Sequence, residues 1–143
     1  MLNQFTYPIT LTPDEEDGGY VVTFPDIPMA ITQGDTIEEC LEVAVDCLEE
    51  ALSCFIDEGE LIPEPSPIAA NGYSAAPSAQ VALKTAVYLA WKEEGISKTE
   101  LATRMGAAEA EARRILDPRH GTKLPTLERA LEVLGKRIEL KVA

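Results

Sequence analysis

The chain has 143 residues, 45% of them hydrophobic, and a formal net charge of −13. That length holds one domain or two small ones, and the apolar fraction is enough for packed cores, which excludes a globally disordered chain. No run approaches the ~18 apolar residues of a membrane span and the N-terminus lacks the basic start of a signal peptide, so a soluble cytoplasmic protein without a membrane partner is expected.

From Leu2 to Thr12, Phe5, Tyr7, Ile9 and Leu11 alternate with Gln4, Thr6, Pro8 and Thr10, the period of a strand with one buried face. Pro8 places that strand at a sheet edge. Asp14 to Gly19 reads as a flexible turn and Tyr20 to Phe24 as the returning strand of a hairpin. Pro25 and Pro28 take the chain out of the sheet, and a short third strand spans Met29 to Gln33. Thr36 with Glu39 forms a capping box that opens a long helix ending near Glu58, before Gly59. Its expected buried stripe is Ile37, Cys40, Leu41, Ala44, Cys47, Leu48, Ala51 and Phe55. Leu61 to Pro67 is a proline-rich extended strap. Ile68 to Ala79 is small and Gly/Ser/Ala-rich, read as a marginal strand near Gly72 to Ala76 and then a linker.

Val81 to Glu94 has a helical apolar side of Leu83, Val87, Leu89, Ala90 and Trp91, closed by Gly95. Ser97 with Glu100 is a second capping box. Leu101, Ala102 and Met105 face inward, Gly106 turns the chain at positive φ, and a further helix turns Ala107, Ala112 and Ile115 inward. This spacing predicts a helix-turn-helix whose second helix reaches the DNA major groove. An ordinary αα-hairpin is the alternative. Asp117 to Lys123 forms a loop, Thr126 with Arg129 a weaker cap, and Leu127, Ala130, Leu131 and Leu134 another amphipathic helix closed by Gly135. Arg137 to Val142 alternates like a strand. A lone terminal strand is unstable unpaired, so Ile138, Leu140 and Val142 are expected to pair with their copies in a homodimer or higher oligomer.

The expected fold class is therefore α+β: a β-β-β-α(-β) domain at 1–67, a linker with a marginal strand at 68–79, and an all-α domain with a C-terminal strand at 80–143. Charge divides with it. Residues 1–79 hold 16 Asp and Glu and no Lys or Arg, whereas residues 80–143 hold 12 Lys and Arg against 9 acids. An anionic half suits a basic partner and a mildly basic half an anionic one, although acidic excess also serves solubility. Cys40, Cys47 and Cys54 recur every seven residues on one helix. Neighbours at that spacing lie about 10.5 Å apart, too far for a disulfide, and without clustered histidines or a C-x-x-C pair they read as small buried hydrophobes, with no metal or cofactor.

With these residues in place, the chain resembles the HicB antitoxins of HicA-HicB toxin-antitoxin systems over nearly its full length. The matching stretches are YPITLTPDEEDGGYVVTFPDIP, TQGDTIEECLEVAVDCLEEAL, ELIPEPSP, and ISKTELATRMG with DPRHGTKLPTLERALEVLGKRIEL. The resemblance implies a partial RNase H-like first domain without nuclease activity that covers a small basic mRNA-cleaving toxin. It also implies a helix-turn-helix second domain that binds operator DNA and represses its own promoter. A toxin that cleaves RNA needs a cationic surface, which a wholly anionic domain complements.

On these grounds the candidate toxin contacts are the charged Asp14, Glu15, Asp17 and Asp26 beside the anchors Tyr20, Phe24, Pro25 and Ile27. Hairpin core is the other role open to Tyr20 and Phe24. The candidate DNA contacts are Lys98, Thr99, Glu109, Arg113, Arg114, Arg119, His120 and Lys123. One departure stands out: the second helix of the pair opens Ala108-Glu109-Ala110-Glu111, and carboxylates near phosphates are unfavourable unless one accepts from cytosine N4. Weak binding, toxin-assisted binding or a purely dimerising role are the alternatives to direct operator reading. An Mg²⁺-dependent RNase H-like nuclease is disfavoured, because Asp14 to Asp17 lie in a Gly-rich turn instead of on rigid strands. His120 lacks a nucleophile at a convincing spacing. A stand-alone helix-turn-helix regulator with a ligand-sensing first domain remains the competing function.

Overall fold

In the computed structural model, residues 4–142 are described. The chain forms two compact units, Met1–Ser78 and Ala79–Ala143. The first contains strands β1 (Tyr7–Pro13), β2 (Tyr20–Thr23) and β3 (Ile31–Gly34), helix α1 (Ile37–Glu58) and strand β4 (Tyr73–Ala75). The second contains helices α2 (Ala79–Glu94), α3 (Lys98–Met105), α4 (Glu109–Leu116) and α5 (Leu124–Val133). The mixed α+β class expected from periodicity is the class observed.

The sheet order is β3-β2-β1-β4 and every pairing is antiparallel. Tyr7 and Ile9 of β1 and Val22 of β2 are buried, whereas Phe5 and Leu11 are half-buried. β1 is thus internal to the sheet, contrary to the edge position that Pro8 suggested. The register explains how the proline is tolerated. β1 pairs with β4 only over Tyr7 to Ile9 and with β2 only from Thr10 onward. At Pro8 one side of the strand is open, so a missing N–H on that side breaks no ladder bond. In the hairpin turn Asp14 Oδ1 accepts from the N–H groups of Glu16 (3.1 Å) and Asp17 (3.2 Å). Gly19 follows at φ +70, where a Cβ would meet the carbonyl oxygen of Gly34 at 2.5 Å. Only glycine fits that approach.

α1 starts where the capping pattern placed it, with Thr36 Oγ1 accepting from Glu39 N at 3.1 Å, and it ends at the left-handed Gly59. Its buried residues are Cys40, Ala44, Leu48, Ala51, Leu52, Ser53 and Ile56, so the stripe rotates away from Phe55 towards Leu52 and Ile56. A straight helix drifts ~20° per heptad, which carries Cys54 about 40° from the direction of Cys40. Accordingly Cys40 is buried, and Cys47 and Cys54 are only half-buried, a correction to the reading of all three as core. The third strand also starts later than Met29, which is 59% exposed.

The strap is held from below. The Tyr7 hydroxyl donates to the carbonyl of Pro63 (2.6 Å), while Ser66 donates from its N–H (2.7 Å) and its hydroxyl (2.6 Å) to the Asp26 carboxylate. Burial, then the charges of Asp26 and Glu64, push the Tyr7 phenol up to about 12. The Tyr7 proton therefore stays in place across physiological pH. The marginal strand after the strap forms as β4, and Glu49 accepts from the Ser78 N–H at 2.7 Å.

In the second unit Leu101, Ala102 and Met105 of α3 and Ala112, Ile115 and Leu116 of α4 pack with Val87, Ala90, Leu127, Ala130, Leu131 and Leu134 into one core. Ser97 Oγ accepts from Glu100 N (3.0 Å), and Gly106 closes α3 at φ +65. α5 begins at Leu124, three residues before the expected start, with Lys123 in place of Thr126 as its cap. Pro125 sits in the first turn, where its lost N–H has no intrahelical acceptor in any case. The expected terminal strand does not form: residues 136–142 carry no strand, Ile138 packs on the helical core, and Leu140 and Val142 are 79% and 84% exposed. The described residues of this unit form no strand that could supply a ladder.

α2 buries a lysine that the apolar pattern did not mark. Lys84 is 2% exposed, and its Nζ donates to the carbonyls of Arg114 (2.7 Å) and Asp117 (2.9 Å), satisfying the C-terminal end of α4. Burial lowers its pKa to about 8, with Asp117 and Glu111 opposing the shift. The unfolded lysine keeps its proton to the ordinary value of 10.5, so between about 8 and 10.5 the unfolded chain binds more protons and stability rises with pH. Relative to Lys84→Met, the wild-type chain should therefore gain about 3 kcal/mol between pH 7.5 and 10.5, read from urea midpoints at each pH. In the first unit, Asp26→Ala removes both Ser66 contacts and should cost about 1 kcal/mol. Limited proteinase K digestion should cut first between Ile62 and Ala79, and several-fold faster in Asp26→Ala than in wild type, by mass spectrometry of the fragments.

Candidate functional site

The first candidate surface surrounds the β1–β2 hairpin and the segment leaving β2. Glu15 and Asp17 are exposed at its tip, and Asp14, beside them, is engaged as the turn's internal acceptor. Tyr20 is half-buried and Pro25 exposed. Phe24 and Ile27 are 1% and 0% exposed, so they are core residues and no longer available as anchors. Their burial follows from the turn that the two prolines impose: Ile27 N–H donates to Phe24 O and Ala30 N–H to Ile27 O, folding both side chains beneath the sheet end. Asp26 is half-buried and engaged by Ser66. The hairpin thus keeps its charge while its apolar side turns inward. Among the described residues no group of three or more His, Cys, Asp or Glu could hold a metal ion, and no helix is long and apolar enough to cross a membrane.

The second candidate surface belongs to the helical unit. Lys98, Thr99, Glu109, Arg113, Arg114, Arg119, His120 and Lys123 are all exposed. Arg113 donates to Glu109 one turn earlier, and Arg114 donates to Glu111 at 2.8 Å. The hydrogen bond from Arg113, its charge, and a further hydrogen bond from Thr99 hold the Glu109 carboxyl below the usual range. Thr99, Glu109 and Arg113 therefore form one cluster linking the start of α3 to the start of α4. Arg119 N–H donates to Asp117 Oδ1 (3.0 Å) and His120 N–H to Asp117 O (3.1 Å), which makes the loop after α4 a second cluster. Lys123 stands apart as the cap of α5.

Sequence periodicity missed the supports behind this surface. Besides Lys84, the Gln80 amide clasps the backbone of Thr122, donating to its carbonyl (3.0 Å) and accepting from its N–H (2.8 Å), and so fixes the loop between α4 and α5. Arg104 bridges Glu94 (2.8 Å) and Glu100 (3.4 Å), while Arg129 Nε reaches the Met105 carbonyl at 3.4 Å. The only sequence signal for Lys84 is a lysine inside an apolar helix face.

Comparison with known proteins gives the chain a family. Residues 6–86 match the family described as HicB_like antitoxin of bacterial toxin-antitoxin system. The chain is 41% identical over 142 residues to Antitoxin HicB 1 of Photorhabdus laumondii, covering 99% of this chain and 90% of that protein. It is 40% identical over 134 residues to Antitoxin HicB of Escherichia coli K12, covering 94% and 96%. A chain of a toxin-antitoxin complex from Streptococcus pneumoniae aligns with 32% identity and a TM-score of 0.42 over 46% of each chain. The relatives' name describes a non-enzymatic role, and the chain belongs to the HicB-like antitoxins of bacterial toxin-antitoxin systems.

Proposed function

We propose that this antitoxin neutralises a small, basic, mRNA-cleaving toxin through its N-terminal unit and represses its own operon through its C-terminal unit. The carrying observation is the charge division: 16 carboxylates with no Lys or Arg in residues 1–79, against 12 cations and 9 acids beyond. An RNA-cleaving partner needs cations for phosphate, and a surface of one negative sign speeds its capture while repelling RNA. The four-stranded sheet with α1 is read as a partial RNase H-like fold that carries the partner surface and no nuclease chemistry.

α3, the turn at Gly106 and α4 are read as a helix-turn-helix with α4 as the recognition helix. The Glu109–Arg113 and Glu111–Arg114 pairs leave that helix close to charge balance. DNA binding then rests on Lys98, Thr99, Arg119, His120 and Lys123 holding phosphates, with Arg113 and Arg114 available once released from their glutamates. Two copies place two such helices on a palindromic operator, and the exposed Leu140 and Val142 supply the contact between copies. The protein acts in the cytoplasm, where the mRNA is.

An equimolar amount of the chain should abolish RNA cleavage by the toxin encoded beside it; full residual cleavage would refute the neutralising role. In mobility-shift titrations with the DNA upstream of the operon, Glu109→Gln should free Arg113, tighten binding and steepen the salt dependence of log K by about 0.9. Arg113→Ala in the Glu109→Gln background should reverse both changes.

A further inference from the structure

The three connections of the helical unit are closed in two different ways. α2–α3 and α3–α4 each span three residues, 95–97 and 106–108, and turn on Gly95 and Gly106 at φ +65. Local backbone chemistry suffices there. The α4–α5 connection spans seven residues, 117–123, and its Gly121 does not adopt positive φ. α4 itself ends in an extended Asp117 (φ −85, ψ 112) instead of a left-handed residue. A loop of this length without such a closure keeps a wide choice of conformations unless groups outside it hold it.

α2 supplies those groups. Gln80 and Lys84 stand one helical turn apart, in line with the buried Val87 and Tyr88. Lys84 grips the start of the loop, its Nζ donating to the carbonyls of Arg114 (2.7 Å) and Asp117 (2.9 Å). Gln80 grips its end, donating to the Thr122 carbonyl (3.0 Å) and accepting from the Thr122 N–H (2.8 Å) one residue before α5 is capped. Between the two grips Pro118 is buried, while Arg119, His120 and Gly121 are exposed. Asp117 completes the frame from within, its Oδ1 accepting from Arg119 N–H (3.0 Å) and its carbonyl from His120 N–H (3.1 Å). A guanidinium and an imidazole are thus carried outward on a short stretch of backbone pinned at both ends.

Packing alone does not require polar groups at these two positions. Apolar side chains of the same length would fill the space without desolvating an amide and an ammonium, and the net gain from each hydrogen bond is small. What the polar ends add is direction, because an amide that both donates to and accepts from one residue fixes where that backbone points.

We propose that Gln80 is a positioning residue for operator binding, acting with Lys84 to hold the 117–123 loop in the form that brings Arg119 and His120 onto backbone phosphates. A loop held in advance meets the phosphates without first losing conformational freedom, so the brace raises affinity without touching DNA. This rests on the operator-binding role proposed above and extends it to residues behind the contact surface.

The test is a mobility-shift titration of the full chain on the DNA upstream of the operon, repeated over a range of salt. Gln80→Met keeps the length and apolar stem of the side chain and removes both hydrogen bonds. It should weaken binding about tenfold, the lower end of the effect of a hydrogen bond to a charged group. It should also reduce the salt dependence of log K by about 0.9, the value of one phosphate contact, with unchanged far-ultraviolet dichroism. A merely structural contribution would lower the urea midpoint and leave the salt dependence as in wild type. In a chain already carrying Arg119→Ala and His120→Ala, Gln80→Met should change affinity by less than about twofold, since the contacts it positions are gone. Gln80→Ala should reproduce both results, which separates the lost hydrogen bonds from a folding defect of one variant. Affinity within about twofold of wild type and an unaltered salt dependence would overturn the assignment. So would an equal loss in both backgrounds, since Gln80 would then act through something other than the loop. A wild-type chain that leaves the DNA unshifted removes the operator-binding role and the positioning role with it, a result distinct from a wild type that binds and a Gln80→Met that binds equally well.

Discussion

A segment of 79 residues without a single lysine or arginine holds its sixteen carboxylates with no basic side chain of its own. That constraint organises the N-terminal unit. Three of its acids are engaged by backbone N–H groups and a hydroxyl: Asp14 by the turn it closes, Asp26 by Ser66 of the strap, Glu49 by the N–H of Ser78. Each such contact is a charge-assisted hydrogen bond, stronger than a neutral one. Yet each leaves the net charge intact. The fold thereby fixes its loops with the same groups that give its surface one sign, and it does so without cancelling the field that attracts a cationic partner.

The helical unit follows the opposite rule. Its glutamates meet arginines along and between helices, with Arg104 joining Glu94 and Glu100, Arg113 joining Glu109, and Arg114 joining Glu111. Surface pairs of this kind stabilise little. In the DNA-binding role proposed above, their larger effect is on affinity, because a cation already hydrogen-bonded to a neighbour must give up that bond to hold a phosphate. Rigidity comes instead from buried contacts that act on backbone ends: Lys84 on the last carbonyls of α4, Gln80 on Thr122, and Arg129 on Met105. These fix α4 and its loop from behind while leaving the outward side chains free to rearrange.

The elements were legible in the sequence where local chemistry decides them. Thr36 and Ser97 cap helices, Gly59, Gly95 and Gly106 end them, and the alternation around Tyr7 and Ile9 marks a strand. What periodicity could not show were facts that depend on a distant neighbour. Pro8 is tolerated inside the sheet because β2 and β4 are staggered along β1. Phe24 and Ile27 look like anchors in the sequence because they sit among prolines and acids, but the turn they share folds them into the core. Arg137 to Val142 has the alternation of a strand and lacks only a neighbour to pair with, which a single chain does not supply.

The same constraint bears on which state of the antitoxin is fragile. Bringing sixteen like charges into one small unit raises the free energy of the compact form by self-repulsion, and no lysine or arginine within residues 1–79 offsets it. Apolar burial around Tyr7, Val22, Phe24 and Leu48 must outweigh that repulsion in the free chain. A cationic partner bound to the folded unit adds to the burial and relieves the repulsion at once, so its stabilisation by mass action falls on the part of the protein that most needs it. The strap, tied by Tyr7 and Asp26 over a surface of its own sign, is the element that feels the repulsion most directly: Glu64 lies within the strap, and its charge already perturbs the Tyr7 phenol. In the function proposed above, capture of a cationic toxin and stabilisation of the folded unit are two consequences of one electrostatic deficit.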